Sequence, residues 1–459
     1  MSKHYDIIII GTGSGNSIPG PEFDDKSIAI IEKGTFGGTC LNVGCIPTKM
    51  FVYAADIARA IDHADRYGIA AHRTAVDWPS IVERVFTQRV DLIAAGGEQY
   101  RRGPETPNVD VYDRHASFTS PNTLKTGQGE MECEISGDTI IIAAGSRPHI
   151  PAAIANSGVR FYTNEDIMRM PSLPRRMTIV GAGFIACEFA HVFSALGVEV
   201  TQLVRSHRML RSMDEDIATA FSRAAESQWE VRYDCEITGA RGQEGDLTLQ
   251  LNDGNSLETD VLLVATGRTP NGDQMNLSAA GIEMNGTAIK VDTFGRTSAP
   301  GVWALGDVSS PYQLKHVANA EMRAVRHNVL HPDDLREMPH DYVPSAVFSN
   351  PQIATVGLTE AQARERYDNI TVKIQKYGDV AYGWAMEDTD SFAKLIADRT
   401  TGRLLGAHII GPQASTLIQQ LITVMAFDLD CRDVATKQYW IHPALPELIE
   451  NALLGLEFE

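Results

Sequence analysis

Residues Gly37–Lys49 read Gly-Gly-Thr-Cys-Leu-Asn-Val-Gly-Cys-Ile-Pro-Thr-Lys. Cys40 and Cys45 lie five apart between glycines. That spacing is wrong for a Cys-x-x-Cys thiol pair and for most zinc sites; it suits a disulfide closing a tight loop at the start of a helix. Gly37 and Gly38 let the backbone pass close to something flat or phosphorylated, because no Cβ intervenes. A thiol at a helix N-terminus has its thiolate stabilised by the helix dipole and becomes a usable nucleophile. Lys49 falls on the same helical face as Cys45, and Pro47 implies a kink. In an arbitrary chain, a structural disulfide or two buried thiols would be the simpler reading. The motifs on either side weigh against it.

Upstream, Tyr5–Ile10 is an apolar run suited to a strand buried on both faces. Gly11-Thr-Gly13-Ser14-Gly-Asn16 follows at once, a dinucleotide fingerprint with Asn in the third glycine position. A second strand, Ser27–Glu32, ends in an acid about 20 residues on, where a carboxylate meets ribose hydroxyls. The stretch between them, Ser17–Lys26, holds Pro19 and Pro21 and cannot form a long helix. One helical turn still suffices for phosphate binding. Downstream, strand Met177–Val180, then Gly181-Ala-Gly183-Phe-Ile185-Ala186, helix Cys187–Leu196 and strand Val198–Val204 form a second such unit. Two fingerprints imply two nucleotide cofactors. Where Glu32 ends the first unit, the second has Arg205, Arg208 and Arg211, which would bind a 2′-phosphate that a carboxylate would repel. The alternative is a solvated basic loop.

These segments together resemble the flavoprotein disulfide reductases, the family holding glutathione reductase and dihydrolipoamide dehydrogenase. The resemblance implies an α/β chain with two Rossmann-like dinucleotide-binding domains and a C-terminal α+β dimerisation domain, a glutathione-reductase-like fold. It divides the chain into FAD-binding residues 1–148, NADPH-binding residues 149–270, a second FAD-binding part at 271–340 and an interface domain at 341–459. It makes Cys40–Cys45 a redox-active disulfide. FAD contacts are implied at Gly11, Gly13, Ser14, Glu32, Gly38, Thr39, Lys49, Ala116, Gly145, Gly306 and Asp307, with ordinary sheet packing the alternative for Ala116. NADPH contacts are implied at Gly181, Gly183, Ile185, Glu188, Arg205, Arg211 and Gly267, the arginines favouring NADPH over NADH. Lys49 and Glu188 would pair beside the flavin N5; a surface glutamate is the alternative there. In Ile441-His442-Pro443-Ala-Leu-Pro446-Glu447, His442 is the best general acid/base and Glu447 its orienting carboxylate. By resemblance, that histidine serves the partner subunit's disulfide in a homodimer.

The remaining segments set coarser expectations. Helices are expected at Met50–Ala64, Trp78–Tyr100 and Lys315–Val329. Val109–Arg114 and Glu130–Ser136 read as strands of a small antiparallel insertion, and Asp138–Ala144, Val261–Ala265 and Val302–Leu305 as buried strands. Val343–Phe348, Thr371–Tyr377, Phe392–Ala397 and Leu404–Gly411 read as an antiparallel sheet, with helices at Ser415–Ala426 and Asp433–Thr436. The 459 residues predict about three domains, and a net charge of −19 argues against nucleic acid and anionic membranes. Cys133, Cys187, Cys235 and Cys431 read as buried small apolar residues. No apolar run approaches the ~20 residues of a membrane span. No signal peptide precedes the first strand, so a cytoplasmic location is expected. No metal site is expected.

The substrate expected is a small-molecule disulfide. The C-terminus, Gly-Leu-Glu-Phe-Glu, lacks the cysteine pair of mercuric reductases and large thioredoxin reductases. Arg205 disfavours dihydrolipoamide dehydrogenase, an NAD enzyme. Ser14–Lys26 lacks the arginine with which glutathione reductases hold a glutathione carboxylate. Gly11–Ser17, Thr35–Ala55 and Tyr377–Asp388 narrow the resemblance to one branch of the family. Glutathione disulfide remains an alternative substrate. A flavin-bound redox sensor, which would need neither His442 nor Glu447, remains an alternative of another class.

Overall fold

The computed structural model describes residues 3–127 and 132–459. Strand β1 (Lys3–Ile10) pairs in parallel with β2 (Ile28–Ile31) on one side and β6 (Cys133–Ile142) on the other. Its run of isoleucines is buried on both faces, as a central parallel strand requires. β3 (Val109–Tyr112) extends the parallel sheet beyond β2, and Val302–Ala304 joins it beyond β6. β4 (Ala116–Ser120), β5 (Thr123–Thr126) and the first part of β6 form an antiparallel meander.

Two expectations are corrected here. Val109–Tyr112 belongs to the parallel sheet, not to the antiparallel insertion. Val109 packs with Ile7, Ile9, Ile28 and Ile30, and Tyr112 meets Tyr5 edge to face at 6.3 Å. The strands expected at Glu130–Ser136 and Asp138–Ala144 are one strand from Cys133 onward, while Glu130 and Met131 lie outside the described residues. Gly137 does not break it. A Cβ there would stand 2.9 Å from Ile8 Cγ1, so this glycine admits a close neighbour.

The second nucleotide unit is a four-stranded parallel sheet in the order Glu230–Arg232, Glu199–Leu203, Arg176–Val180, Val261–Val264. Its fingerprint helix, Phe184–Ala195, is buried against the helix that follows the thiol loop. Phe51, Trp78 and Phe193 pack in sequence there with tilted rings, centroids 5.0 and 5.8 Å apart. A three-stranded antiparallel sheet, Ile237–Gln243, Asp246–Leu251 and Ser256–Thr259, was not anticipated. Ser146–Pro148 and Arg268–Pro270 pair where the chain leaves and re-enters the first unit.

The C-terminal part is a five-stranded antiparallel sheet, Ser345–Val347, Ile353–Gly357, Leu404–Ile410, Phe392–Asp398 and Ile370–Lys376, covered by Ala414–Ala426 and Pro446–Leu454. Ile353–Gly357 and the last helix were missed. Phe427, Tyr439 and Ile441 are exposed on this part. Among the described residues, no helix is long and apolar enough to cross a membrane.

Candidate active site

Cys40 lies in α1 (Gly38–Asn42), and Cys45 is the first residue of α2 (Cys45–Asp62). The chain enters α1 through Gly37 and Gly38, both in the left-handed region at φ 105° and 70°. A Cβ on Gly38 would stand 2.7 Å from Gly13 Cα, so the thiol loop rests directly on the first fingerprint. Gly37 N–H donates to Thr12 Oγ1 at 2.8 Å. Asn42 Nδ2 donates to Phe36 O at 2.9 Å, and Thr48 Oγ1 to Gly44 O at 2.7 Å. α2 runs unbroken through Pro47. Proline sits in the first turn of α2, where its missing N–H has no intrahelical acceptor to serve.

Cys40 and Cys45 both carry free thiols, and Cys40 hydrogen-bonds to Cys45. That bond is the main reason the Cys45 thiol falls to about 7. Lys49 and a backbone N–H at the start of α2 add to it, against burial and Glu188. The same bond and burial push Cys40 well above the ordinary thiol range. Of the two thiols, Cys45 therefore gives up its proton more readily than Cys40.

Lys49 Nζ reaches Glu188 Oε2 at 2.6 Å and lies 4.3 Å from the Phe348 ring centroid. Glu188 is buried, and its other oxygen accepts from Phe348 N at 3.0 Å. His442 Nδ1 lies 2.6 Å from Glu447 Oε1, and Glu447 Oε2 accepts from Ala444 N at 3.1 Å. The His442 bond holds the Glu447 carboxyl below its usual range. The imidazole is 71% exposed, so its Nε2 is presented outward.

Of the residues that resemblance gives to FAD, Gly11, Glu32, Gly145 and Gly306 lie just beyond the ends of β1, β2, β6 and Val302–Ala304. Space is open where a Cβ on Gly13 or Gly145 would lie, as a cofactor in close backbone contact requires. Glu32 accepts from Thr12 N at 3.0 Å, Thr12 Oγ1 at 2.6 Å and Gly34 N at 2.9 Å, which fixes its carboxylate at the end of β2. Asp307 accepts from Ser146 Oγ at 2.6 Å, and Gly306 N donates to Glu321 Oε2 at 2.7 Å. Ser14 is buried, whereas Thr39 is exposed. Ala116 is buried at the start of β4 within the sheet core.

In the second unit, a Cβ on Gly181 would meet Ala265 O at 2.2 Å, so the tight turn there accepts glycine alone. Gly183 caps the fingerprint helix with open space before it, and Ile185 is half buried on that helix. Gly267 also borders open space. Arg205 and Arg211 are exposed and have no hydrogen-bond or ion-pair partner among the described residues. Arg208 is turned toward Glu215 at 3.8 Å. The open fingerprints and unpaired guanidinium groups fit two dinucleotides, one of them 2′-phosphorylated.

Pyridine nucleotide-disulphide oxidoreductase models match residues 5–324, and the corresponding dimerisation domain matches residues 343–453. This chain belongs to that family. It is 54% identical to mycothione reductase from Mycobacterium tuberculosis over 98% of this chain and 99% of the relative. It is 33% identical to glutathione reductase from Burkholderia cepacia, over 97% and 98%. A solved structure titled as the Cu(II) complex of the HOCl-induced flavoprotein disulfide reductase RclA from Escherichia coli superposes with a TM-score of 0.87 at 28% identity, covering 99% of both chains. As a pyridine nucleotide-disulphide oxidoreductase of this type, the chain uses FAD and NADPH to reduce a small disulfide.

Four residues of this oxidoreductase escaped the sequence reading. Arg268 is buried with Nε on Ser146 Oγ at 2.7 Å and Nη1 on Asn164 Oδ1 at 3.1 Å, within electrostatic reach of Cys45 and Asp307. Glu321 is fully buried beneath the Gly306 turn, with His340 Nε2 on its other oxygen at 2.6 Å. Lys315 and Asn319 flank Ser14. Lys315 and Asn319 stand one turn apart on the helix Lys315–Leu330, but that helix is rich in polar residues and does not single them out.

Proposed function

We propose that this oxidoreductase reduces the disulfide of mycothiol, a thiol built of inositol, glucosamine and cysteine. The observation that carries this reading is the 54% identity, end to end, with mycothione reductase. Gly11–Ser17, Thr35–Ala55 and Tyr377–Asp388 resemble that enzyme specifically. We divide the chain into FAD-binding residues 1–148 and 271–340, NADPH-binding residues 149–270 and interface residues 341–459. The dimerisation-domain match and the exposed Tyr439 and Ile441 support a homodimer in which each site uses His442 of the partner subunit. A dithiol kept reduced by NADPH suits the cytoplasm.

Gly13, Gly38, Glu32 and Asp307 would hold FAD, which would supply the two-electron transfer between NADPH and the Cys40–Cys45 disulfide. Arg205 and Arg211 grip the 2′-phosphate of NADPH. Lys49, held by Glu188, keeps a positive charge beside the Cys45 thiolate. Cys40 passes its proton to Nε2 of the partner's His442 and attacks one sulfur of the substrate. A Cys40–substrate disulfide forms, the substrate S–S bond breaks, and the imidazolium returns its proton to the departing thiolate. Glu447 stabilises that imidazolium. Cys45 then attacks Cys40 Sγ, restoring the disulfide and releasing the second half of the substrate as a thiolate, which takes its proton from solvent.

The test is NADPH oxidation by FAD-loaded protein offered mycothiol disulfide, glutathione disulfide and lipoamide separately. Rapid turnover with mycothiol disulfide alone is expected. Turnover with glutathione disulfide instead keeps the chemistry and overturns the substrate.

A further inference from the structure

Lys315 is the first residue of the helix Lys315–Leu330, and its side chain is half buried. Both circumstances work against a lysine. The N-terminal end of a helix carries partial positive charge and repels a cation. Partial burial removes the water that an ammonium needs. A cation retained there requires negative charge in front of it.

The contacts of Lys315 lead from the fingerprint loop to the thiol pair. Lys315 Nζ donates to Ser14 Oγ at 2.9 Å, and Ser14 Oγ donates to Asn319 Oδ1 at 3.0 Å, one turn along the same helix. The ammonium is thereby pinned to the fingerprint loop. That loop also seats the thiol segment, with Gly38 against Gly13 and Gly37 on Thr12. Cys40 lies two residues beyond Gly38. Lys315 is within electrostatic reach of Cys40, Cys45 and Asp307; burial lowers its pKa while these three groups oppose that effect.

The charged groups facing the pair are Lys49 from α2, Glu188 from Phe184–Ala195, Arg268 from Arg268–Pro270, and Lys315, with Asp307 from the turn after Val302–Ala304 acting on Lys315 and Arg268. Lys49 is engaged by Glu188, and Arg268 by Ser146 and Asn164. Lys315 donates to one neutral hydroxyl and has no carboxylate in contact among the described residues.

We propose that Lys315 is a charge-setting residue of the redox pair: pinned on Ser14, its ammonium stabilises the thiolate left when the disulfide opens. The inference rests on reading Cys40–Cys45 as the redox pair.

The test uses FAD-loaded wild type, Lys315→Met and Lys315→Arg, reduced with a phosphine and desalted without oxygen. Iodoacetamide alkylation is followed across the neutral and alkaline range, and the modified cysteine is identified by peptide mass. In Lys315→Met the pH midpoint should rise, with alkylation at neutral pH slowed about tenfold for each unit of rise. Lys315→Arg should restore the wild-type midpoint. FAD content and melting temperature are recorded alongside. An unchanged midpoint in FAD-loaded Lys315→Met overturns the inference. Lost FAD with an unchanged midpoint also overturns it and makes Lys315 a cofactor-holding residue instead. If Lys315→Met does not fold, Lys315→Gln keeps a donor for Ser14 without the charge and gives the same comparison. A wild-type pair that cannot be alkylated after reduction overturns the redox reading and this inference with it.

Discussion

Arg101 holds Asn16 by side chain and backbone together: Nε donates to Asn16 Oδ1 at 2.9 Å and Nη2 to Asn16 O at 2.7 Å. Nη2 also reaches Pro19 O at 3.2 Å. The segment between β1 and β2 has only two single-turn helices, Gly15–Ser17 and Pro21–Phe23. A buried guanidinium from Asp91–Arg102 satisfies carbonyls that a longer helix would have paired internally. Asparagine in the third fingerprint position thus serves as a side-chain acceptor. Arg101→Met should cost about 1–3 kcal/mol for the acceptors it strands. The urea midpoint should fall, and FAD should dissociate faster from the loosened fingerprint.

Lys394 crosses from the C-terminal sheet to the second nucleotide unit. Its Nζ meets Asp214 Oδ1 at 2.9 Å, Asp216 Oδ2 at 2.6 Å and Glu360 Oε2 at 2.7 Å, with the Lys394 and Asp214 side chains 2% and 1% exposed. Lys394→Met would strand the buried Asp214 carboxylate and should cost about 3–5 kcal/mol. The double variant Lys394→Met/Asp214→Asn removes the stranded charge and keeps an N-cap on Glu215–Glu226, so most of the loss should return. Burial acts to raise Asp214, but Glu360 N–H and Lys394 outweigh it and hold the carboxyl below its ordinary value. Its stability contribution is present above the unfolded pKa of about 3.9 and is lost as pH falls through the folded value. Acid urea titrations should therefore be steeper for wild type than for the double variant.

Lys49 and Glu188 act on Cys45 with opposite signs. Lys49→Met should raise the pH at which Cys45 of the reduced protein reacts with iodoacetamide. Glu188→Gln, which leaves the cation in place and removes the opposing charge, should lower it. Movement of both midpoints in one direction would refute this assignment.

Arg205 and Arg211, at the end of the second fingerprint unit, have no partner for their guanidinium groups among the described residues. Arg205→Ala/Arg211→Ala should raise KM for NADPH by about tenfold or more, since each charge-assisted bond to phosphate contributes ~1.5–3 kcal/mol. KM for NADH, which lacks the 2′-phosphate, should change little. Steady-state kinetics with both nucleotides would decide it.

The parts of the fold legible from sequence were those whose signal is local. Both fingerprints announce themselves through glycines followed by small residues, and the thiol loop through its own spacing. Val109–Tyr112 was misassigned because its parallel partner, Ile28–Ile31, is remote in sequence and no short-range pattern distinguishes the two pairings. Gly137 looked like a break because its purpose, admitting Ile8, exists only once β1 lies beside it. In contrast, Leu247, Leu249 and Leu251 alternate cleanly and are all buried, so the meander they belong to was readable and overlooked. Of the site, Lys49 and Glu188 were placed through resemblance, and no spacing rule joins residues so far apart. Lys315, Arg268 and Glu321 act through tertiary contacts that no motif records.

His442 and Cys40 should belong to different subunits within one site, and mixing separates the alternatives. His442→Ala should lose about 10²–10⁴-fold in turnover, the usual contribution of a general acid/base, while NADPH still reduces the flavin. Glu447→Gln should lose less, because the imidazole keeps its place but not its charge partner. Cys40→Ala homodimers should be inactive with disulfide substrate. In a mixed dimer of Cys40→Ala and His442→Ala chains, a shared arrangement leaves one site with an intact Cys40 from one chain and an intact His442 from the other. That dimer should recover about half of wild-type turnover, one working site in two, as expected for a two-fold assembly. If each site drew both residues from a single chain, every site in the mixture would be broken and no activity would return. Differently tagged chains, dissociated, mixed and repurified through both tags, give the measurement directly.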